Sequence, residues 1–430
     1  MEMQTLKGTK DYLPEEQVIR NYISDTLRKI FEKYGYKPIE TSVLDFWEIG
    51  SSKYAAGEGS DVLNETYKLT DQGKRKLMLR YELTFKLAKL IGMNPTMRMP
   101  FKRYEIGRVY RDGPIKTGRL REFTQCDVDV VGLTTRAVDA ELVKMAIEIF
   151  QELKLDAYVK VNSRKLLFGI FEWAGIDKKY LSGVAVSIDK IEKYGEKQVR
   201  KELKEKGIGD KIIDKLFEIL NLLEGKNNAQ IIEILNEKLQ NENGKQGLEE
   251  VSAFMRYVEM YELKNIVLTP TLARGLGYYT GMIWECFLKD GKISSSIAAG
   301  GRWDNMIQEF INSERQYPAT GISFGLEALY TSVNKQNILN LPKILIISID
   351  EKQMRYCLKV ADILRKSGVS CDIAYEKKLM KAINYADKEK IPFIIIIGEE
   401  EEKLKKLKLK NMITGEENLL GFEEVARRLQ

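Results

Sequence analysis

The sequence predicts an α+β protein: an antiparallel sheet flanked by helices, interrupted by a helical insertion and followed by a small α/β domain. Three observations predict it. The first part of the chain carries strand-like runs that pair as hairpins. A long, charged middle stretch has helical character and few strand signals. From residue 343 onward, strands and helices alternate.

Residues 16–35 place Val18, Ile19, Tyr22, Ile23, Leu27, Ile30 and Phe31 at helical spacing, with Gly35 as a stop. An extended stretch, 36–44, follows. Residues 65–70 and 76–80 read as a hairpin around Asp71-Gln72-Gly73. Residues 101–111 and 120–131 read as a longer one, joined by a basic Gly/Pro loop over 112–118. A helix over 134–153 and a short strand over 157–162 come next. These elements, 1–160, are resumed at 260–332, where strands are expected at 266–268, 282–288 and 292–298 and a helix from about 324. The helical insertion, 161–259, lies between. A linker over 333–342 ends in Pro342. The last domain, 343–430, reads strand, helix, strand, helix, strand, which implies a mainly parallel sheet. Its charge run at 399–410 reads as a solvated turn and helix.

Composition narrows the chemistry. The 430 residues are 44% hydrophobic and 31% charged, so there is material for a packed core. There is no histidine at all. That excludes Ser-His-Asp and Cys-His catalysis, HExxH zinc sites, His-bound haem and the HIGH signature of one class of ATP-activating ligases. Cys126, Cys286, Cys357 and Cys371 are isolated, with no CxxC pair and no disulfide framework, which fits a reducing cytosol. The N-terminus is polar, and the longest apolar run, 392–398, is too short to span a bilayer. A cytoplasmic protein without a membrane partner is expected. The net charge of +6 permits a polyanion such as RNA or ATP without requiring one. No GxxxxGK[ST] occurs, and Gly207-Ile208-Gly209 lacks a third glycine. Any ATP must be held by another device.

Three local patterns carry chemistry. The first is Arg80-Tyr81-Glu82-Leu83-Thr84, at a strand end leading into a helix. The second runs from Arg111-Asp112-Gly113-Pro114 to Arg119-Leu120-Arg121-Glu122-Phe123-Thr124-Gln125-Cys126-Asp127-Val128-Asp129. Residues two apart on a strand share a face, so Arg121, Phe123, Gln125, Asp127 and Asp129 line one side. That side is too polar for core. It suits a small polar or cationic ligand, and a solvent-facing sheet edge is the alternative. The third is Ala273-Arg274-Gly275-Leu276-Gly277-Tyr278-Tyr279-Thr280-Gly281, with Ala298-Ala299-Gly300-Gly301-Arg302-Trp303-Asp304 downstream. Glycines let backbone approach a ligand closely; a plain turn is the alternative, and a glycine pair alone marks many bends.

In this order and spacing the segments resemble the histidyl-tRNA synthetase family of class II aminoacyl-tRNA ligases. ARGLGYYTG resembles that family's RGLDYYTG motif, and AAGGRWD its second glycine-rich motif. LRYELT and RDGPIKTGRLREFTQCDVDVVG resemble the amino-acid contact and class II motif 2. GTKDYLPEE resembles the N-terminal signature, and INYADKEKIPFIIIIGEEE with NMITGEE the anticodon-binding domain.

The resemblance implies roles. Glu82 and Thr84 would hold the α-amino group of histidine. Arg111 would bind the ATP α-phosphate. Gln125 and Asp129 would line the histidine pocket, Asp129 near the imidazole, with Tyr278 and Tyr279 closing it. Arg274 would sit at the reacting carboxylate and α-phosphate. Arg119 and Arg121 would touch ATP or the tRNA acceptor end. The substrates implied are L-histidine, ATP with Mg²⁺, and tRNA(His), handled by a homodimer with no metal site of its own. The insertion would clasp the acceptor arm and the last domain the anticodon stem.

Three positions depart from the family pattern. Ser42 stands where class II motif 1 usually carries proline. Ala328, after Glu327, stands where motif 3 usually carries an ATP-contacting arginine, and Gly277 replaces the Asp of RGLDYY. The alternative reading is a non-catalytic, histidine-binding relative, like the regulatory subunit of ATP phosphoribosyltransferase, or an RNA-binding paralogue.

Overall fold

The first helix, Pro14–Lys33, starts on a proline that fits a helix's first turn and buries Ile19, Ile23, Leu27, Ile30 and Phe31 as one stripe. It belongs to the first of two units, Met1–Lys335 and Gln336–Gln430. This computed structural model describes residues 3–54, 60–115, 120–274, 277–335, 343–375 and 378–429.

The first unit has eleven strands among the described residues. They are β1 (Lys37–Pro38), β2 (Leu44–Phe46), β3 (Lys68–Thr70), β4 (Lys76–Leu79), β5 (Phe101–Tyr110), β6 (Glu122–Val131), β7 (Ala157–Ser163), β8 (Ile266–Leu268), β9 (Met282–Leu288), β10 (Ala298–Arg302) and β11 (Ala319–Gly325). Eight of them form one sheet in the order β1-β5-β6-β11-β10-β9-β7-β8. Only the edge pairs β1–β5 and β7–β8 are parallel; the rest of the sheet is antiparallel. β2, β4 and β3 make a small separate sheet.

The long hairpin is present as expected, with Arg103 opposite Asp129, Glu105 opposite Asp127 and Gly107 opposite Gln125. Two expectations change. The extended stretch 36–44 keeps only β1 as a strand before β2 begins at Leu44. The strand expected over 292–298 lies later, at Ala298–Arg302, on the glycine pair itself. An added Cβ on Gly300 would stand 2.1 Å from the Gly321 carbonyl oxygen. The pair therefore permits close strand approach rather than a bend.

Between β7 and β8 the chain is helical, from Arg164–Ala174 through to Glu242–Met260. These helices bury apolar stripes, for example Ile213, Leu216, Phe217, Ile219, Leu220 and Leu223 on Asp210–Leu223. Asn228 ties them to the sheet edge. Its side-chain amide donates to Ile266 O at 2.9 Å, and its oxygen accepts from Leu268 N at 2.9 Å. It thereby pairs the outer edge of β8 as a neighbouring strand would.

The second unit holds β12 (Ile344–Ser348), β13 (Cys371–Ile373), β14 (Phe393–Ile397), β15 (Leu407–Asn411) and β16 (Glu417–Leu420), ordered β13-β12-β14-β15-β16. The first three are parallel, as the strand–helix alternation predicts. The last two are antiparallel additions. The charge run expected as turn and helix supplies the helix Glu399–Leu404 and then part of β15. Its Leu407 and Leu409 enter the core while the alternating Lys408 and Lys410 face outward. Among the described residues, no helix is long and apolar enough to cross a membrane.

Candidate active site

β6 is a central strand, flanked by β5 and β11, so its polar face is not the solvent-facing edge that was the alternative. Asp127 and Asp129 are buried, at 3% and 4% exposure. What makes room for them is β11. Asp129 faces Gly321, Asp127 faces Ser323 and Gln125 faces Gly325. A Cβ on Gly321 would stand 1.8 Å from Asp129 Oδ1, so only glycine leaves the carboxylate its place.

β5 supplies the other wall. Arg103 is fully buried, and its NH2 lies 2.5 Å from Asp129 Oδ2. Behind it, Glu105 Oε1 accepts from Arg80 NH1 at 2.9 Å and from the Thr41 amide and hydroxyl at 2.9 and 2.8 Å. Burial raises the pKa of both Asp127 and Asp129, against the pull of Arg103. Several polar atoms of this wall are buried without a hydrogen-bond partner: Arg103 Nε and NH1, Glu105 Oε2, Gln125 Oε1 and Asp127 Oδ1, while Asp129 Oδ2 has only its ion pair with Arg103. Buried polar groups are normally paired, so such a concentration marks a place built for a polar ligand.

Glu82 joins the same face from the turn before the helix Thr84–Met93. Its two carboxylate oxygens accept from the Thr84 and Phe85 amides at 3.1 and 2.7 Å. Burial raises its pKa while those amides and Arg111 oppose the rise. Its charge acts on Asp127, Asp129 and Tyr278. Arg111 follows β5. Its guanidinium stacks between Tyr81 and Phe123, 4.2 and 5.0 Å from their ring centres, and donates through Nε to Tyr81 O at 3.2 Å. Arg121 donates to Gly113 O at 3.3 Å and pairs with Asp112 at 3.2 Å, which ties it across the base of the loop. Arg119 lies outside the described residues.

Arg274 approaches the same face from β9, whose Glu285 stands in one cross-strand row with Ser323 and Asp127. Its NH1 pairs with Glu285 on β9 at 2.6 Å, its Nε is buried without a partner, and its guanidinium lies 5.5 Å from the Tyr279 ring centre. Tyr278 and Tyr279 lie with ring centres 4.7 Å apart. Tyr278 meets Phe85 and Trp303 edge-on. Tyr279 is buried with Leu87, Ile91 and Val131. The motif is therefore more than a turn, although Gly275 and Leu276 lie outside the described residues. A Cβ on Gly277 would meet nothing within 4 Å, so nothing in the packing demands glycine there.

Arg302, in the second glycine-rich motif, has a different place. Its side chain donates to Asp139 Oδ1 and Oδ2, Leu133 O, Thr135 O and Asp304. Asp139 is itself fully buried. The group is structural. Ala328 is buried in the helix Leu326–Ser332, and Glu327 beside it pairs with Arg20 at 3.0 Å and accepts from the Thr124 amide at 2.9 Å.

Arg103, Glu105, Ser323 and Glu285 escaped the sequence reading. The register of the long hairpin would have placed the first two opposite the aspartates. Ser323 and Glu285 sit on strands distant in sequence and carried no local signal.

Comparison with known proteins agrees with this architecture. A family model described as histidyl-tRNA synthetase matches residues 8–329, and one described as an anticodon binding domain matches residues 343–430. The chain is 46% identical over 423 residues to histidine--tRNA ligase 1 of Bacillus thuringiensis subsp. konkukian, covering 97% of each chain. Among solved structures, it is similar to histidyl-tRNA synthetase from Nostoc sp., with a TM-score of 0.87, 29% identity and 100% of both chains covered. It also shares its fold with a Bacillus halodurans C protein described as an ATP phosphoribosyltransferase regulatory subunit/histidyl-tRNA synthetase. That match has a TM-score of 0.76 at 20% identity and covers 90% of this chain and 97% of the other.

Proposed function

The chain belongs to the histidyl-tRNA synthetase family, and from that we infer how its buried polar face carries out the reaction. It attaches L-histidine to tRNA(His) with ATP as co-substrate. In our reading the reaction runs through a histidyl-adenylate and releases AMP and pyrophosphate. The observation that carries the assignment of the site is the face of β6. Its buried acceptors and the unpaired guanidinium atoms across from them suit a small zwitterion with a polar ring.

Glu82 and Thr84 hold the α-amino group. Gln125 and Asp129 take the imidazole, with Tyr278 and Tyr279 closing over it. Arg111 and Arg274 lie on either side of the α-phosphate, and Arg121, with Arg119, holds ATP or the acceptor end. The histidine carboxylate is ionised at neutral pH and attacks the α-phosphorus directly; the bond to the pyrophosphate oxygen breaks, and the electron pair leaves with pyrophosphate. No general base is needed, which is why a chain without histidine can do this. What the step needs is alignment and neutralisation of charge building on the phosphate. Guanidinium groups suit that, because they stay cationic and bond phosphate in a planar fork. Mg²⁺ enters with ATP as its phosphate complex and offsets charge on the pyrophosphate side. Among the described residues no group of three or more Cys, Asp or Glu is arranged to hold an ion alone. The 3′-terminal adenosine hydroxyl of tRNA then attacks the adenylate carbonyl, its proton passes to a phosphate oxygen of the adenylate, and the carbonyl–phosphate bond breaks as AMP leaves. A pocket that bonds both imidazole nitrogens discriminates without editing, since another amino acid leaves buried groups unpaired.

The helical insertion, 161–259, clasps the acceptor arm and residues 343–430 bind the anticodon stem, in the cytoplasm where these substrates meet. The working form is a homodimer. Support comes from the small sheet, where Leu44, Phe46 and Leu69 lie exposed on one face beside Leu77 and Leu79, while Met78 turns inward onto Val62 and Tyr81. Light scattering should return twice 49.5 kDa.

The regulatory alternative is not favoured. Arg111 and Arg274 are both present, and residues 343–430 match the anticodon domain. ATP–pyrophosphate exchange, run with each amino acid in turn, tests the reading. Exchange with histidine alone is expected; histidine binding without exchange would reverse the choice.

A further inference from the structure

We infer that Arg103 is a positioning residue of the histidine pocket: clamped from behind by Glu105, it holds Asp129 in place as an ionised acceptor for the imidazole. The inference rests on the assignment of Asp129 to that pocket.

The geometry is a buried row of alternating charge. Arg80 donates to Glu105 Oε1 at 2.9 Å, and Arg103 NH1 lies 3.8 Å from Glu105 Oε2. On the other side Arg103 NH2 lies 2.5 Å from Asp129 Oδ2 and donates to Leu83 O at 3.4 Å. Arg80, Arg103, Glu105 and Asp129 are all at most 5% exposed. The far end of the row is tied to the backbone, since Arg80 also donates to Thr41 O and Arg108 O at 2.8 and 2.7 Å.

Charge balance gives Arg103 its role. The groups that act on Asp129 are Arg103 and Glu105 from β5, Asp127 from its own strand, Glu82 from the turn before Thr84–Met93, and the Tyr36 phenol before β1. Arg103 is the one cation among them. Burial and the neighbouring carboxylates favour protonation of Asp129, and Arg103 opposes it. A protonated Asp129 could not accept from an imidazole N–H with both oxygens. Arg103 itself need not touch histidine: its effect passes through the carboxylate it holds.

The test uses the full-length chain with Arg103→Gln and Arg103→Lys. Histidine affinity by calorimetry and histidine-dependent exchange are followed from about pH 6 to about pH 9, across the range where free imidazole titrates. Arg103→Gln is expected to raise KM for histidine on the order of a hundredfold, the scale for one partner lost from a buried charged pair, with kcat changed far less. The acid limb of histidine affinity should move to higher pH, because Asp129 now protonates more readily. Arg103→Lys should return the limb most of the way. A folded Arg103→Gln that loses affinity equally at every pH, or keeps the wild-type KM, would overturn the inference. Should Arg103→Gln fail to fold, Asp129→Asn replaces it. The two changes act through one pair, so Arg103→Lys must have no further effect on KM in the Asp129→Asn background; additive losses would overturn the inference. Wild type that binds histidine without exchange ends the ligase reading but not this one, because the limb is still read by calorimetry. Wild type that binds no histidine ends both.

Discussion

Replacing Gly321 with alanine should damage histidine recognition by pushing Asp129 out of place. The added Cβ would stand 1.8 Å from Asp129 Oδ1, 2.7 Å from its Cγ and 2.8 Å from Val128 O. Ordinary non-bonded contact begins near 3.5 Å, so the carboxylate must retreat by roughly 1.5 Å. It cannot do so and keep Arg103 NH2 at 2.5 Å. Overpacking alone costs about 1–3 kcal/mol, and loosening a buried ion pair adds part of the roughly 3–5 kcal/mol that breaking one costs. A loss of about 3 kcal/mol in stability is expected. Histidine KM should rise by at least about tenfold, which corresponds to ~1.4 kcal/mol of binding. Denaturant unfolding reads the first quantity and histidine-dependent ATP–pyrophosphate exchange the second. Gly325→Ala on the same strand is the control, because its Cβ meets only Ala328 Cβ, at 3.6 Å, and its φ of −86° suits any residue. If Gly321→Ala behaved like Gly325→Ala in both assays, the claim that this glycine seats Asp129 would be wrong.

Four other outcomes follow from the same geometry. Arg302→Met should cost about 3 kcal/mol, the low end of the penalty for breaking a buried ion pair, because Asp139 keeps Arg136 as a partner, while protein that remains folded keeps its histidine KM; a large KM change would move Arg302 into the site. Glu285→Gln should lower kcat for exchange by about 10- to 100-fold through loss of the charge that aims Arg274, and unchanged kcat would show Arg274 aimed by other contacts. Ala328→Arg should lower the ATP KM on the order of tenfold, the worth of one charge-assisted phosphate contact, unless the phosphates lie beyond reach of that helix, in which case KM stays put. Asp189, after the helix Leu181–Ile188, is exposed as a residue, but its carboxyl lies against Glu285 and Arg274 and accepts from the Ala273 amide; desolvation of the carboxyl, with the Glu285 charge, raises its pKa to about 6. A raised carboxyl contributes stability that is full below its ordinary 3.8 and lost as pH rises through about 6. Asp189→Asn should therefore flatten the pH dependence of unfolding in that window, and an unflattened curve would refute the placement.

The long hairpin was legible because its strands are local in sequence and joined by one marked loop. The polar face of β6 was legible too, from the period of two alone. Whether that face lay inside the sheet or at its edge was not legible, because the neighbour that encloses it, β11, comes almost two hundred residues later. Gly321 carries no signal of its own; its meaning is the Asp129 carboxylate opposite. The strand Ala298–Arg302 was missed because a glycine pair reads locally as a bend, whereas here it lets backbone and ring approach. β15 was hidden by lysines that alternate with its buried leucines. In each case the missing information is a contact between residues far apart in the chain.

Buried arginines in this chain divide by how completely they are satisfied, and the division separates architecture from site. Arg302 donates five hydrogen bonds to Asp139, Asp304 and two carbonyls. Arg80 is likewise held by Thr41, Glu105 and the Arg108 carbonyl. Arg302 has nothing left to offer a ligand, and Arg80 spends its Nε and NH1 on the fold. Arg103 and Arg274 each keep a buried Nε with no hydrogen-bond partner, as do Gln125 Oε1 and Asp127 Oδ1 on the same face. Leaving such groups unpaired costs roughly 1–3 kcal/mol apiece, a cost the fold would avoid if these residues served packing alone. They lie on one sheet face, with opposite signs interleaved, where a zwitterion carrying an imidazole can pair with them. The chain contains no histidine, so under the proposed assignment the imidazole that pairs with this face arrives only with the substrate.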